Sequence, residues 1–222
     1  ALAEALRARL VRTVVQGQRA DGTWARQDRA TLQAVVVQTA WAARALPEDE
    51  EGARLRASGA LERYAREVED PYTAAVVLAT GLVSEAQGER LRGMVLEAVS
   101  EAPDGSRMLM VPPDVLNPWG YRPTPAEARC WTWLALEGAD VAWSGDLVAG
   151  LMGSYDATRG FGAGPADVLA LEVVGRALPG LDAEAEVVLS LDGAEVARAR
   201  LDAQQPKVPA VLEAAPGGRD VE

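Results

Sequence analysis

Gln18-Arg19-Ala20-Asp21-Gly22-Thr23-Trp24 joins two helical patterns, and Asp156-Ala157-Thr158-Arg159-Gly160-Phe161-Gly162 repeats its ingredients of Asp, Gly and an aromatic. Asp turns the chain by bonding nearby backbone, and Gly does so by tolerating positive φ. The helical segments after both loops close on the same tripeptide, Arg44-Ala45-Leu46 and Arg176-Ala177-Leu178. Loop, apolar helix and closing tripeptide, repeated, describe helical hairpins.

Outward from these loops, two kinds of helix alternate. Residues 31–46, 71–83, 125–137 and 165–178 are strongly apolar; Ala34-Val35-Val36-Val37 and Tyr72-Thr73-Ala74-Ala75-Val76-Val77-Leu78-Ala79 leave almost no polar face. A helix apolar nearly all round requires cover on both sides. Residues 2–17, 51–68, 86–100 and 142–155 are one-sided instead. Their stripes are Leu6, Leu10 and Val14; Leu61, Tyr64 and Val68; Leu91, Met94, Val95, Ala98 and Val99; and Leu147, Leu151 and Tyr155. Inner and outer helices in alternation predict a mainly α fold, an α/α toroid of helical hairpins, with an open solenoid as the competing form. Asp70-Pro71, Thr124-Pro125-Ala126-Glu127 and Gly164-Pro165 with Asp167 mark three helix starts, the second as a capping box.

Residues 103–123 interrupt the alternation with Pro103, Pro112, Pro113, Pro118 and Pro123 among Met108, Leu109, Met110, Val111, Trp119 and Tyr121. They read as a long ordered loop with a short hairpin, serving as a lid over helix ends or as a binding loop. After residue 180 the period becomes two. Glu186-Val187-Val188-Leu189-Ser190-Leu191 meets Asp192-Gly193 and then Ala194–Leu201, a β-hairpin pattern. Residues 208–212 offer a third strand, and 214–222 read as a frayed tail. The expected domains are a toroid over 1–180 and a β hairpin, or the start of a β-sandwich, over 181–222.

Composition excludes several chemistries. The 22 basic and 33 acidic residues give a net charge of −11, which disfavours binding to nucleic-acid phosphates. Histidine is absent and Cys130 is the sole cysteine, which removes nucleophile–His pairs, disulfides within the chain and thiolate-rich metal sites. The basic residues are Arg except for Lys207, and Asn117 is the sole asparagine, a skew that reads as coding bias. No apolar run reaches the roughly 20 residues of a membrane span. A start at Ala1 rather than Met reads as a fragment or a processed chain.

Residues 18–24 match the Q-x-x-D-G-x-W signature of terpene-cyclase-type toroids. Physically the motif is structural: Asp and Gly make the turn, the aromatic packs back on helix ends, and Gln bonds free backbone groups. The Asp-x-Asp-Asp cluster of the protonating cyclases does not occur, and Glu48-Asp49-Glu50-Glu51 reads as a solvated helix start. The zinc of the protein prenyltransferases needs a His that this chain lacks. Cys130, among Ala128, Trp131 and Leu134, reads as a buried small hydrophobe. Trp119, Tyr121, Trp131, Trp133 and Trp143 with Glu127, Glu137 and Asp140 offer a glycan-active cleft as an alternative, although a tryptophan-rich core explains the same residues.

Four stretches, in order, resemble the thioester-domain region of the α2-macroglobulin and complement family. They are residues 18–24 with Thr39-Ala40-Trp41-Ala42-Ala43-Arg44-Ala45-Leu46; Asp70-Pro71-Tyr72-Thr73-Ala74-Ala75-Val76-Val77-Leu78; residues 125–136; and Gly160-Phe161-Gly162 through Asp167-Val168-Leu169-Ala170-Leu171. The β run falls where family members leave the toroid for a β domain. The resemblance implies a non-catalytic structural domain of a bacterial, periplasmic or envelope protease-trapping protein. Proteases would be partners of the whole protein, and β domains of the same parent chain would be neighbours. The family's Cys-x-Glu-Gln thioester is missing, so no catalytic, cofactor-binding or metal residue carries over. The alternatives are a terpene-cyclase-like or glycan-active toroid enzyme and a helical interaction module.

Overall fold

The computed structural model describes residues 2–24, 31–103, 105–162, 164–177, 185–191 and 194–201. The chain divides into two compact units, Ala1–Val173 and Val174–Glu222. Among the described residues the helices are α1 (Leu2–Gln16), α2 (Leu32–Arg44), α3 (Glu51–Ala65), α4 (Pro71–Leu78), α5 (Glu85–Ala98), α6 (Pro125–Ala135), α7 (Ser144–Gly153) and α8 (Pro165–Ala177), the last crossing the division. The protein is mainly helical.

The alternation of apolar and amphipathic helices reappears as packing. α2 lies on α4 and α4 on α6; each also carries an amphipathic neighbour, α3 on α2, α5 on α4 and α7 on α6, and α3 also touches α4. Residues 71–77 of α4 are all buried, and so are Ala126–Thr132, Leu134 and Ala135 of α6. Each amphipathic partner inserts one or two large side chains, Leu61 from α3, Leu91 and Val95 from α5, Leu147 and Leu151 from α7, all 0–1% exposed. Each such burial stabilises by about 1.5–3 kcal/mol. The rest of the buried face of α3 is Ala53, Ala57, Ala60 and Ala65, small enough to bring its backbone close to its neighbours.

Two apolar stripes are not covered. Leu6 and Leu10 of α1 are 55% and 57% exposed, and Val168 and Leu171 of α8 are 66% and 68% exposed. Helical spacing shows that a face is apolar; it does not supply the surface that hides it. α8 buries Ala166, Leu169, Ala170 and Val173 on its other side, so it is one-sided rather than covered all round.

Helix starts follow the side-chain caps. Asp70 accepts from Thr73 N at 2.7 Å ahead of Pro71, and Thr124 Oγ1 from Glu127 N at 3.1 Å ahead of Pro125. Thr31 and Ser84 cap α2 and α5 in the same way. The capping box at Thr124 closes on one side only, because the Glu127 carboxyl is spent elsewhere. Helix ends are closed by arginines from other helices. Arg44 Nη1 donates to Ala79 O at the end of α4, Arg54 Nη1 to Leu46 O beyond α2, and Arg90 to Ala65 O and Val68 O beyond α3. A planar guanidinium with five donors suits carbonyls left without partners in a last helical turn. The arginine-for-lysine skew thus has a structural use.

The interrupting stretch begins earlier than its prolines do. Val99 takes an extended conformation that ends α5, and the chain enters β1 (Val99–Glu101), paired antiparallel with β2 (Arg107–Leu109) in the register Val99↔Leu109, Ser100↔Met108 and Glu101↔Arg107. Arg129 of α6 ties this hairpin to α7, donating to Ser106 Oγ, Arg107 O and Gly150 O at 2.7, 3.3 and 3.1 Å. A Cβ on Gly150 would stand 2.8 Å from the Ser106 side chain, so the contact needs glycine. In the second unit β3 (Ala185–Leu191) pairs antiparallel with β4 (Ala194–Leu201), irregular between Leu189 and Ser190. The Asp192-Gly193 turn, the third strand at 208–212 and the tail at 214–222 lie outside the described residues.

Burial raises the pKa of Asp70 against the opposing hydrogen bonds from Thr73 and Tyr72, and Asp114 adds to the rise. The folded chain therefore takes up this proton at a higher pH than the unfolded chain. The residue's contribution to stability grows as pH falls through the folded pKa and is lost as pH rises through it. Asp70→Asn, which keeps the cap without the charge, is expected to melt at or above the wild type at pH 7, with the gap narrowing on acidification. Asp70→Ala is expected to lose about 1 kcal/mol. Thermal melts between pH 4 and 7 read both; an Asn variant as weak as the Ala variant would refute this account.

Candidate functional site

Where α2, α4, α6 and the 110–123 loop meet, one carboxyl group is buried. Glu127, the third residue of α6, is 2% exposed. Its Oε1 accepts from Tyr72 Oη of α4 at 2.7 Å and its Oε2 from Asn117 Nδ2 of the loop at 3.3 Å. Asn117 in turn organises the loop. Its Oδ1 accepts from Trp119 N and Tyr121 N, both at 3.1 Å, while its own N–H donates to Tyr121 O at 2.7 Å. Gln33 of α2 donates to Leu116 O at 2.7 Å, and Val115 of the loop is buried. The stretch acts as a lid in its anchors, yet it leaves Met110, Trp119 and Tyr121 exposed.

Indoles surround the cluster. Trp41 of α2 meets Trp131 of α6 edge to face at 4.8 Å and Trp119 of the loop at 5.0 Å. Arg44 lies 5.4 Å over the Trp131 ring and pairs with Glu172 of α8. Burial, then the Glu127 carboxylate, raises the Tyr72 hydroxyl well above its ordinary pKa, with the Trp41 indole weakly opposing. Burial also pushes the Cys130 thiol up to about 12, with Glu127 and then Glu172 adding to the rise. A thiol held protonated is neither nucleophile nor ligand. The cluster is built to hold protons in place: Tyr72 donates, Glu127 accepts twice, and Cys130 stays neutral.

The residues considered for glycan chemistry do not converge. Glu137 and Asp140 are exposed beyond the end of α6, whereas Glu127 lies at its start. The helix rises roughly 12 Å from Glu127 to its last residue, Ala135, before the chain reaches Glu137, more than a paired acid and base span. Trp131 is fully buried, and Trp119 and Tyr121 are exposed on the loop. Glu48, Asp49 and Glu51 are exposed around the start of α3. Among the described residues no three His, Cys, Asp or Glu side chains are grouped to hold a metal ion. Trp41, Tyr72 and Asn117 join the cluster without having stood out in the sequence. The signals for two of them were a phenol inside an otherwise apolar helix and the chain's sole asparagine.

The 18–24 loop is a second constellation, and its Gln, Asp and Trp residues bond to the surrounding helices. Gln18 Nε2 donates to Ala53 O at 2.9 Å and Gly22 O at 3.2 Å, while its Oε1 accepts from Arg56 Nε at 2.9 Å. Arg63 Nη2 donates to Asp21 O at 2.7 Å, Trp24 N to Thr39 Oγ1 at 3.2 Å, and Trp24 Nε1 to Val14 O at 2.7 Å. Helices α1, α2 and α3 are thereby fastened at one point. Asp21 holds the turn by accepting from Thr23 N and Oγ1, bonds that lower its pKa. Asp156 does the same with Thr158, so the two loops share an Asp-x-Thr turn as well as their Gly and aromatic.

No protein-family model and no curated protein matches the chain.

Tyr72→Phe is expected to cost about 1–3 kcal/mol in denaturant unfolding, because it strips a donor from a buried carboxyl. Cys130 should resist alkylation in the folded chain and react once the chain is denatured; equal rates in both states would remove the buried-thiol assignment. Gly22 has φ of 90°, and a Cβ there would stand 2.2 Å from Arg56 O. Gly22→Ala should therefore destabilise by about 2–3 kcal/mol on the same measurement.

Proposed function

We propose that the helical unit is a non-catalytic structural domain, an α/α toroid of the α2-macroglobulin and complement kind, within a bacterial envelope protein that traps proteases. The observation that carries this reading is the 18–24 loop. Its Gln, Asp, Gly and Trp are all engaged in fastening α1, α2 and α3 together, which leaves them structural work and no reacting atom. The inner row α2, α4 and α6, each with an outer partner, supports a toroid as the form these helices take. The antiparallel pair β3 and β4 after the helices supports a following β domain.

In this role the domain holds shape. Shape change and any covalent capture of a protease belong to other parts of the parent protein. Cys130, protonated and buried, supplies no thioester. The parent reading frame is the test. Macroglobulin-type β domains on both sides of this segment are expected, and the full-length product should retain an added endopeptidase on size exclusion. A short free-standing parent, or a full-length product that ignores proteases, would overturn the reading.

A further inference from the structure

Between the end of α1, the middle of α2 and the 117–121 turn lies an open cleft of about 470 Å³, walled by Trp24, Trp41 and Trp119 with Gly17, Gln38 and Pro118. We infer that this cleft binds a soft organic cation, the trimethylammonium group of a choline-like compound. The inference does not rest on the structural role proposed above.

The walls are fixed before any ligand arrives. Trp24 is pinned by its Nε1 bond to Val14 O at 2.7 Å, and the Trp119 backbone by Asn117 Oδ1 at 3.1 Å. Trp41 stands at 85° to Trp119 and at 79° to Trp131. Although Trp119 packs on Trp41, it remains 45% exposed. Trp119 therefore offers an accessible indole surface at the cleft, next to Trp24 and Trp41. Immobilised walls also cut the ordering cost of binding.

Charge selects the occupant. Among the described residues no acidic or basic side chain lines the cleft, so a compact, strongly hydrated ion finds no counter-charge from them. An anion is opposed by the net charge of −11 and by the C-terminal end of α1, whose last turn holds no basic residue and which reaches the cleft at Gly17. A sugar needs several accessible hydrogen-bonding groups, but the Trp24 indole N–H is spent on Val14 O, the Trp41 indole N–H is buried, and the Gln38 amide donates to Pro118 O at 3.4 Å. A quaternary ammonium needs neither. It sheds water readily and is held by indole faces and negative potential. The neighbouring Arg44 already places its cation 5.4 Å over Trp131 in the same tryptophan group.

The test titrates the full chain with choline chloride at low ionic strength, read by tryptophan fluorescence and by calorimetry. The neutral isostere 3,3-dimethyl-1-butanol is the control. Saturable choline binding is expected, with the isostere roughly tenfold weaker. Trp119→Ala should weaken choline about fivefold or more while Trp119→Phe keeps most of the affinity, both with unchanged circular dichroism. Phosphatidylcholine vesicles form the second arm. Co-sedimentation that Trp119→Ala abolishes assigns the group to a lipid headgroup, and choline binding without co-sedimentation assigns it to a free small molecule. No saturable choline signal, equal binding of the isostere, or an unaffected Trp119→Ala variant would each overturn the inference.

Discussion

The buried Glu127 carboxyl constrains how the inner helices can lie. A carboxyl taken out of water is costly to place unless its oxygens are bonded, and here each has one partner from a different part of the chain. Tyr72 supplies its hydroxyl from α4, and Asn117 its amide from the loop. Sliding α4 past α6, or lifting the loop, would leave the group unsatisfied in an apolar surround. Apolar packing alone tolerates such shifts, because leucines and alanines meet many neighbours equally well. The polar triad picks one arrangement among them, and the tryptophans pack around it.

A second economy concerns helix ends. Among the described residues eight helices each end in carbonyls without partners inside their own helix. Arginines on neighbouring helices reach such carbonyls at the ends of α2, α3 and α4, while Arg129 reaches Gly150 O near the end of α7. At the other ends, Thr31, Asp70, Ser84 and Thr124 accept the first free N–H groups. Glycines appear where backbones come closest, at Gly22 against Arg56 and at Gly150 against Ser106. The loop at 18–24 and the guanidinium contacts are thus two answers to one problem, the unpaired backbone at helix ends.

Much of this architecture is legible in the sequence because it rests on local rules. Apolar runs without a polar face identified α4 and α6; Asp-Pro and Thr-Pro placed their first turns; Asp-Gly between alternating runs announced the β3 and β4 pair. The same rules misled where cover was concerned. Leu6, Leu10, Val168 and Leu171 have the spacing of buried stripes and remain exposed, since periodicity describes one helix and burial needs two. Glu127 satisfied a capping-box pattern, yet its side chain turned inward, because a phenol 55 residues away offered a buried donor.

The sequence by itself determined the element types, their order, their caps and the exclusion of histidine-dependent and thiolate-rich chemistry, because propensity, capping and composition act over a few residues. Only the tertiary structure decided which distant side chains met their partners: Tyr72 with Glu127, Gln33 with the lid, Arg44 and Arg90 with foreign helix ends, and three indoles around one cleft. Those meetings join residues tens of positions apart, and their energy comes from desolvation shared between partners. No window of sequence contains both members of such a pair.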